Sequence, residues 1–163
     1  MKTLVVFYTR TGISWKVAQE IAKSINADLE ELVDLENRRG IIGYIKSGID
    51  AIRKKRASLK QTEKDPSAYD LVILGTPVWG NNLSTPLRTY IDDNKNLLKN
   101  IALFCTAGGN SGRYVDNCLG ELEKLTGQKP VAFLGLDKND MKQGFDKKVA
   151  SFVSFLQNPQ KSN

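Results

Sequence analysis

The 163-residue sequence contains no histidine. Histidine is the most common metal ligand in proteins and the most common general base at neutral pH, because its own charge changes near that pH. The absence of histidine argues against the usual metal sites and against ordinary acid–base catalysis by a side chain. We therefore expect no metal site and no catalytic residue, and any chemistry has to come from a bound cofactor or from less usual side chains.

Cysteines and long apolar runs are also scarce. Cys105 and Cys118 are the only cysteines and do not form a CxxC pair, so we expect two free thiols in a reducing compartment. No run approaches the roughly 18 apolar residues that span a bilayer. The start of the sequence lacks the apolar core and the cleavage site of a signal peptide. Together these features predict a cytoplasmic protein.

The positive charge of the chain is concentrated in residues 38–60. The net charge is +6, and this segment contains eight basic residues but only one acidic residue. Isoleucines recur in it at helical spacing, which predicts an amphipathic helix with a solvated polar face: Ile41, Ile42, Ile45, Ile49 and Ile52. The alternatives are docking of an acidic protein partner or peripheral contact with a membrane, for which the sequence has no further support. Because no nucleic-acid-binding motif accompanies the charge, we expect no nucleic acid partner.

Four short apolar runs lie along the chain, and a helical pattern follows each of them. Continuous apolar runs of this length are typical of strands in a parallel sheet that is covered on both faces. The runs are Thr3–Tyr8, Asp70–Gly75, Ile101–Cys105 and Val131–Gly135. Residues 28–35 alternate more between apolar and polar side chains, which suits an edge strand.

Apolar residues recur at helical spacing in four further segments, which begin near Ser14, Pro86, Val115 and Phe145. Alternating strands and helices predict an α/β protein with a single doubly wound, five-stranded parallel sheet. The strand order expected for such a sheet is 2-1-3-4-5. We assign residues 1–157 to this one domain and residues 158–163 to a polar C-terminal tail.

The loop after the first strand is Thr9-Arg-Thr-Gly-Ile-Ser14. It leads into the N-terminus of a helix, where unpaired backbone N–H groups and the helix dipole attract anions. Gly12 lets the backbone come close, the three hydroxyl groups add donors, and Arg10 adds positive charge. The loop thus favours a phosphate site, although an ordinary turn with Ser14 as the N-cap residue is the alternative. It is neither a Walker loop nor GxGxxG.

Two further loops are expected at the same edge of the sheet. Residues 75–86 contain Trp79, whose flat indole suits either stacking on an aromatic ligand or packing as a lid over the sheet. Residues 105–114 contain three glycines, which allow a ligand to lie against the backbone or form a flexible loop before the next helix. In the predicted order the first, third and fourth strands are neighbours, so the three loops meet. A phosphorylated, planar aromatic cofactor fits such an edge.

The three loops resemble those of the flavodoxin family. Thr-Arg-Thr-Gly-Ile-Ser resembles its T-x-T-G-x-T phosphate loop, and Gly-Thr-Pro-Val-Trp-Gly and Phe-Cys-Thr-Ala-Gly-Gly are similar to its two flavin-ring loops. The resemblance extends from Lys2 to about Leu156 and implies a flavodoxin-like fold that binds FMN noncovalently. It implies as FMN-binding residues Thr9, Arg10, Thr11, Gly12, Ile13, Ser14, Thr76, Pro77, Val78, Trp79, Gly80, Thr106, Ala107, Gly108 and Gly109.

The resemblance also assigns parts of the cofactor to these loops. Residues 9–14 hold the phosphate, residues 76–80 line the ribityl chain and the ring, and residues 106–109 meet the pyrimidine side of the ring. Trp79 covers one face of the ring. Tyr114 is the one candidate for the opposite face, which is otherwise open to a substrate or covered by the basic segment.

As to function, the resemblance implies an electron-transfer protein that shuttles electrons between redox partners. The basic segment 38–60 would suit partners with acidic docking surfaces. The alternative on the same scaffold is an NAD(P)H-dependent FMN oxidoreductase acting on quinones or similar acceptors. A signalling receiver domain shares the sheet topology but needs an acidic cluster at the ends of the first and third strands. This sequence has Tyr8-Thr9 and Gly75-Thr76 there, which argues against a receiver.

Overall fold

The computed structural model of the protein describes residues 1–36, 55–109 and 112–158. Five parallel strands form one sheet in the order β2-β1-β3-β4-β5. The strands are β1 (Thr3–Phe7), β2 (Asp28–Glu31), β3 (Leu71–Pro77), β4 (Ile101–Thr106) and β5 (Phe133–Leu136). The predicted α/β class, the parallel sheet and its strand order are confirmed.

The described helices are α1 (Ile13–Ile25), α2 (Thr85–Asn94), α3 (Arg113–Thr126), α4 (Lys138–Gln143) and α5 (Asp146–Gln157). Four of them correspond to the helical patterns in the sequence, whereas α4 was not predicted. Short 3₁₀ turns occur at Pro66–Ala68 and Lys95–Leu97. The helix predicted from the isoleucines of residues 41–52 lies outside the described residues. Within the described ranges, no helix has the length and apolar character needed to cross a membrane.

The edge strand β2 is shorter than predicted. It ends at Glu31, whereas the alternating pattern extended over residues 28–35. Beyond β2, the N–H of Leu35 donates to the carbonyl oxygen of Ser58 at 2.8 Å, and Asp34 and Leu59 form an antiparallel bridge. The end of the predicted strand therefore pairs with residues 58–59 instead of continuing along β1.

The sheet has an apolar core on each face. On one face it packs against α2 and α3, and on the other it packs against α1 and α5. The side chains of β1 are divided accordingly: Leu4 and Val6 belong to the first core, and Val5 and Phe7 belong to the second. Because both faces are covered, both sets of side chains are apolar, which explains the continuous runs in the sequence.

Cys105 and Cys118 lie in the first core, and neither forms a disulfide. Burial raises the pKa of the Cys105 thiol, and a hydrogen bond with Cys118 raises it further. The thiol therefore stays protonated at neutral pH and packs as a small apolar side chain.

Gly75 of β3 lies between two aromatic residues of the neighbouring strands. A Cβ atom at this position would stand 2.1 Å from Cζ of Phe104 and 2.9 Å from Cβ of Phe7. Phe104 is fully buried, so its ring has no free space into which to move. Close packing at the centre of the sheet thus requires glycine here.

A buried ion pair fastens the loop between β3 and α2. Nε of Arg88 in α2 lies 2.7 Å from Oε1 of Glu121 in α3, and the two side chains are only 7% and 8% exposed. Oε2 of Glu121 accepts a hydrogen bond from the N–H of Leu83 at 3.0 Å. Nη2 of Arg88 donates to the carbonyl oxygen of the same Leu83 at 3.3 Å. Both backbone groups of Leu83 are thereby fixed, and the loop is held against α3.

We expect Gly75→Ala to lower the free energy of unfolding by about 1–3 kcal/mol, because overpacking forces core side chains away from their preferred rotamers. Chemical denaturation measures this change. Gly120→Ala in α3 is the control, since a Cβ atom there has nothing within 4 Å. Alanine is the better helix former, so the control should gain up to about 1 kcal/mol. Equal stabilities of the two variants would contradict the close packing at Gly75.

The substitution Glu121→Ala should cost about 3–5 kcal/mol, because it leaves the buried Arg88 without its carboxylate. Glu123→Ala, on an exposed position of the same helix, should change the stability by no more than about 0.5 kcal/mol. Urea unfolding followed by tryptophan fluorescence compares the two variants. A cost for Glu121→Ala as small as that for Glu123→Ala would show that the ion pair does not stabilise the fold.

Candidate functional site

A cavity of about 420 Å³ lies at the carboxyl edge of the sheet. The loops after β1, β3 and β4 contribute to its wall, as the strand order predicts, and α4 contributes as well. The lining residues are Thr9, Arg10, Thr11, Ile13, Ser14, Pro77, Val78, Trp79, Thr106, Ala107, Gly108, Lys138, Met141 and Lys142.

The cavity brings together eleven of the fifteen residues that the resemblance implied, drawn from all three loops. Four of the fifteen do not line it: Gly12, Thr76, Gly80 and Gly109. Three of these four, Gly12, Thr76 and Gly80, stabilise the conformation of the loops. Gly109, the fourth, ends the described part of the third loop.

Gly12 immediately precedes α1 and shapes the first loop. Its φ of +83° lies in the left-handed region, which glycine adopts without strain. The N–H of Gly12 donates to the Thr9 hydroxyl at 3.0 Å, and its carbonyl oxygen accepts from Lys16 at 3.2 Å. Gly12 is therefore the N-cap residue, and the alternative that Ser14 caps this helix is wrong.

No side chain caps the N-terminus of α1. The first N–H groups of a helix have no partner within the helix. Those of Ile13 and Ser14 lie at residues that line the cavity. With the hydroxyl groups of Thr9 and Thr11, they form a set of donors suited to a phosphate group.

The Ser14 hydroxyl is used to join two of the loops. Its oxygen lies 2.9 Å from the hydroxyl oxygen of Thr106, the last residue of β4. Both residues are buried, so this hydrogen bond is shielded from water. It holds the N-terminus of α1 against the beginning of the third loop, and the two line the cavity side by side.

The second loop turns back on itself directly after Trp79. The N–H of Trp79 donates to the carbonyl oxygen of Asn82, and the N–H of Asn82 donates to that of Trp79, both at 3.0 Å. The two residues between them, Gly80 and Asn81, have φ values of +55° and +64°. Two positive φ values are the mark of a type I′ turn. Gly80 thus shapes the turn and does not contact the cavity.

Thr76 lies beneath the second loop. It is fully buried, and its hydroxyl donates to the Ser84 hydroxyl at 2.8 Å. The N–H of Ser84 donates in turn to the Thr76 oxygen at 3.0 Å. The Thr76 side chain therefore points toward Ser84. These bonds join the start of the loop to its end and stabilise it.

Trp79 lines the cavity but is itself 96% buried, with only 4% of its surface exposed. Its indole meets the ring of Tyr8 edge to face, with centroids 5.3 Å apart and planes at 84°. The indole is thereby held in one orientation at the cavity wall. The two readings of Trp79, a packed lid and a wall for a flat ligand, are thus compatible.

Tyr114, the candidate for the opposite side of a flat ligand, does not line the cavity. It is buried in the core beneath α3, and its hydroxyl oxygen lies 2.9 Å from where a Cβ atom of Gly135 would stand. Burial raises the pKa of Tyr114 to about 12. Within the described residues, Trp79 is the only aromatic side chain of the cavity wall.

The short helix α4 is the part of the wall that sequence reasoning missed. The Asp137 side chain caps it by accepting from the N–H groups of Asn139 and Asp140, at 2.7 and 3.0 Å. The Asp140 carboxylate accepts from the N–H of Asp137 at 3.0 Å, which completes a capping box. The spacing Asp-x-x-Asp is a readable helix signal, but nothing in it indicates contact with the cavity.

The cavity wall carries positive charge and an apolar area. Its charged residues are Arg10, Lys138 and Lys142, and none of its described lining residues is acidic. Val78, Trp79 and part of the third loop provide the apolar surface. Hydroxyl groups, helix N–H groups and cations suit a phosphate, and the apolar surface suits a planar ring. The residues present therefore fit a flavin mononucleotide.

Comparison with known proteins identifies the family and the fold of the chain. Several solved structures share its fold, and this chain covers nearly the full length of the three described below. No curated protein matches the sequence.

A flavoprotein from Lactobacillus acidophilus, solved in complex with FMN, is 25% identical, with a TM-score of 0.68 over 87% of this chain and 97% of that chain. A Bacteroides uniformis protein, provisionally described as a flavoprotein, is 20% identical, with a TM-score of 0.77 and coverage of 94% and 97%. Oxidised flavodoxin 1 from Bacillus cereus is 17% identical, with a TM-score of 0.55 and coverage of 97% and 99%. At these two lower identities the likeness concerns the fold.

The sequence itself matches the flavodoxin family model over residues 2–135. This range contains β1 to β4, all three loops and most of β5. Because the match covers most of the chain, the protein belongs to the flavodoxin family.

Proposed function

We propose that the protein binds FMN noncovalently in the cavity and shuttles electrons between redox partners. The observation that carries the proposal is the meeting of three features at one edge of the sheet. These are an uncapped helix N-terminus with hydroxyl groups, a buried indole and a glycine-containing loop. The relative from Lactobacillus acidophilus that was solved with FMN supports the choice of cofactor.

The first loop holds the phosphate in this proposal. The N–H groups of Ile13 and Ser14 and the hydroxyl groups of Thr9 and Thr11 donate hydrogen bonds to its oxygens. The Ser14 hydroxyl is bonded to Thr106, so Ser14 contributes mainly through its backbone. Gly12 keeps the loop in the conformation that places these donors side by side.

The second and third loops hold the isoalloxazine ring. Val78 and Trp79 provide one wall, and Ala107 and Gly108 provide the other. When bound, FMN supplies one- and two-electron transfer, which the side chains of the chain do not supply. The protein binds and orients the ring and limits its contact with water. Such a role needs no acid or base side chain, in keeping with the lack of histidine.

We also propose that redox protein partners with acidic docking surfaces bind to the basic segment. Of the basic segment 38–60, the structure describes residues 55–60. There Arg56 pairs with Asp92, at 2.5 Å, and with Asp93, both in α2. Docking would therefore depend on the other cations of the segment. The cytoplasm is the expected compartment, since both thiols are free.

A second candidate function is an NAD(P)H-dependent FMN oxidoreductase that acts on quinones or similar acceptors. Hydride transfer requires a nicotinamide to lie against the ring. The burial of Tyr114 away from the cavity favours this candidate, because no other described aromatic residue is in place to cover the second ring face.

Purified protein should be yellow, and the protein freed of flavin should take up FMN with one-to-one stoichiometry. Isothermal titration calorimetry measures the stoichiometry, and mass spectrometry identifies the flavin that denaturation releases. Folded protein that is colourless and gives no heat with FMN would contradict the proposal.

Trp79→Leu should weaken the binding of both FMN and riboflavin, by up to about tenfold, because an aromatic contact with the ring is lost. The matched control is Trp15→Leu, since Trp15 is 39% exposed and does not line the cavity. Flavin fluorescence titration gives the dissociation constants, and circular dichroism verifies folding. Unchanged flavin affinity in a folded Trp79→Leu protein would show that the indole does not contact the ring.

The two candidate functions differ in their response to reduced nicotinamides. We expect an electron carrier to keep the visible absorbance of its flavin when NADH or NADPH is added without a reductase. Rapid anaerobic bleaching on mixing in a stopped-flow instrument would instead establish the oxidoreductase. A known reductase added afterwards should bleach the carrier and serves as the positive control.

A further inference from the structure

We propose that Lys138 and Lys142 of α4 are additional phosphate-binding residues, which attract the phosphate group of FMN to the first loop. This inference rests on the proposed function and deepens it. The three loops were expected to hold the cofactor, whereas α4 was not. Its residues Lys138, Met141 and Lys142 nevertheless line the same cavity as residues 9–14.

The packing of α4 places it on the phosphate side of the cavity. Met141 packs against the core that contains Val17 and Ile21 of α1. Trp79 belongs to the core on the opposite face of the sheet. The lysines of α4 therefore flank the N-terminus of α1, and the ring wall lies across the cavity from them.

The rotation of α4 about its axis is fixed by its own polar contacts. Lys138 and Lys142 are four residues apart, so they lie on one face of the helix. Asp140 lies on a different side and pairs with Lys148 of α5 at 2.7 Å. This ion pair holds the pKa of Asp140 below its usual value. Together with the capping box and Met141, it keeps the lysine-bearing face at the cavity.

The charge of the wall matches a phosphate dianion. Within the described part of the chain, Lys138 and Lys142 have no ion-pair partner, in contrast to Lys148 and Lys95, which have one each. Arg10 of the first loop adds a third cation to the wall, and the described lining residues include no carboxylate. A phosphate monoester carries about 1.5 to 2 negative charges at pH 7. Flexible lysines near it lower its free energy without needing the fixed geometry of a bidentate contact.

Riboflavin has the ring of FMN without the phosphate. Comparing the two flavins therefore distinguishes phosphate binding by the lysines from a contact with the ring. The variants are Lys138→Gln, Lys142→Gln and the double variant. The control is Lys147→Gln, which removes the same charge from an exposed position of α5 that faces a separate groove beside β5. Fluorescence titrations at low and high salt give the dissociation constants of both flavins for each protein.

The double variant should bind FMN about tenfold more weakly than the unmodified protein at low salt, as the loss of two exposed ion pairs predicts. Its riboflavin affinity should stay within about twofold, and its FMN affinity should depend less on salt, since fewer charge pairs are screened. Lys147→Gln should match the unmodified protein with both flavins.

Three results would overturn this inference while leaving the proposed function in place. These are an unchanged FMN affinity in the double variant, an equal loss for FMN and riboflavin, and a loss in Lys147→Gln as large as that in the double variant. Failure of the unmodified protein to bind FMN would overturn the proposed function itself, and this inference with it.

Discussion

The site depends on the parallel alignment of β1, β3 and β4. In the register of the sheet, Phe7 lies beside Gly75, and Gly75 lies beside Phe104. β3 and β4 end side by side at Pro77 and Thr106, and β1 ends two residues earlier, opposite Gly75. The loops after the three strands therefore meet. Gly75 makes this possible, because a side chain there would collide with Phe104. The buried bond between Ser14 and Thr106 then joins the first and third loops.

Much of this arrangement could be predicted from the sequence. The continuous apolar runs reflect a sheet that is covered on both faces. Their alternation with helical patterns indicated a doubly wound sheet, for which the strand order 2-1-3-4-5 is expected. Three loops with hydroxyl groups, an indole and glycines were placed at one edge by that order alone. The family that these loops resemble is confirmed by the match over residues 2–135. The assignment of individual residues to FMN stays a prediction.

Most of the remaining features depend on contacts that no local pattern contains. Thr76 and Gly80 have the residue types of binding positions, yet Thr76 bonds to Ser84 and Gly80 forms the turn. Tyr114 follows a glycine-rich loop but is buried beneath its helix. The helix α4 is too short for apolar periodicity to reveal it, and its ion pair with α5 joins residues of two different helices. Burial and pairing with other elements decided the cases of Thr76, Tyr114 and α4, whereas Gly80 belongs to a local turn.

An amide NMR titration with FMN tests the central claim most directly, because it reports where on the chain the cofactor binds. The account predicts the largest changes at the N–H groups of Gly12, Ile13 and Ser14, at the indole N–H of Trp79 and around Gly108. The edge of the sheet formed by β2 should change little. Changes confined to other surfaces, or none at an excess of FMN, would contradict the account.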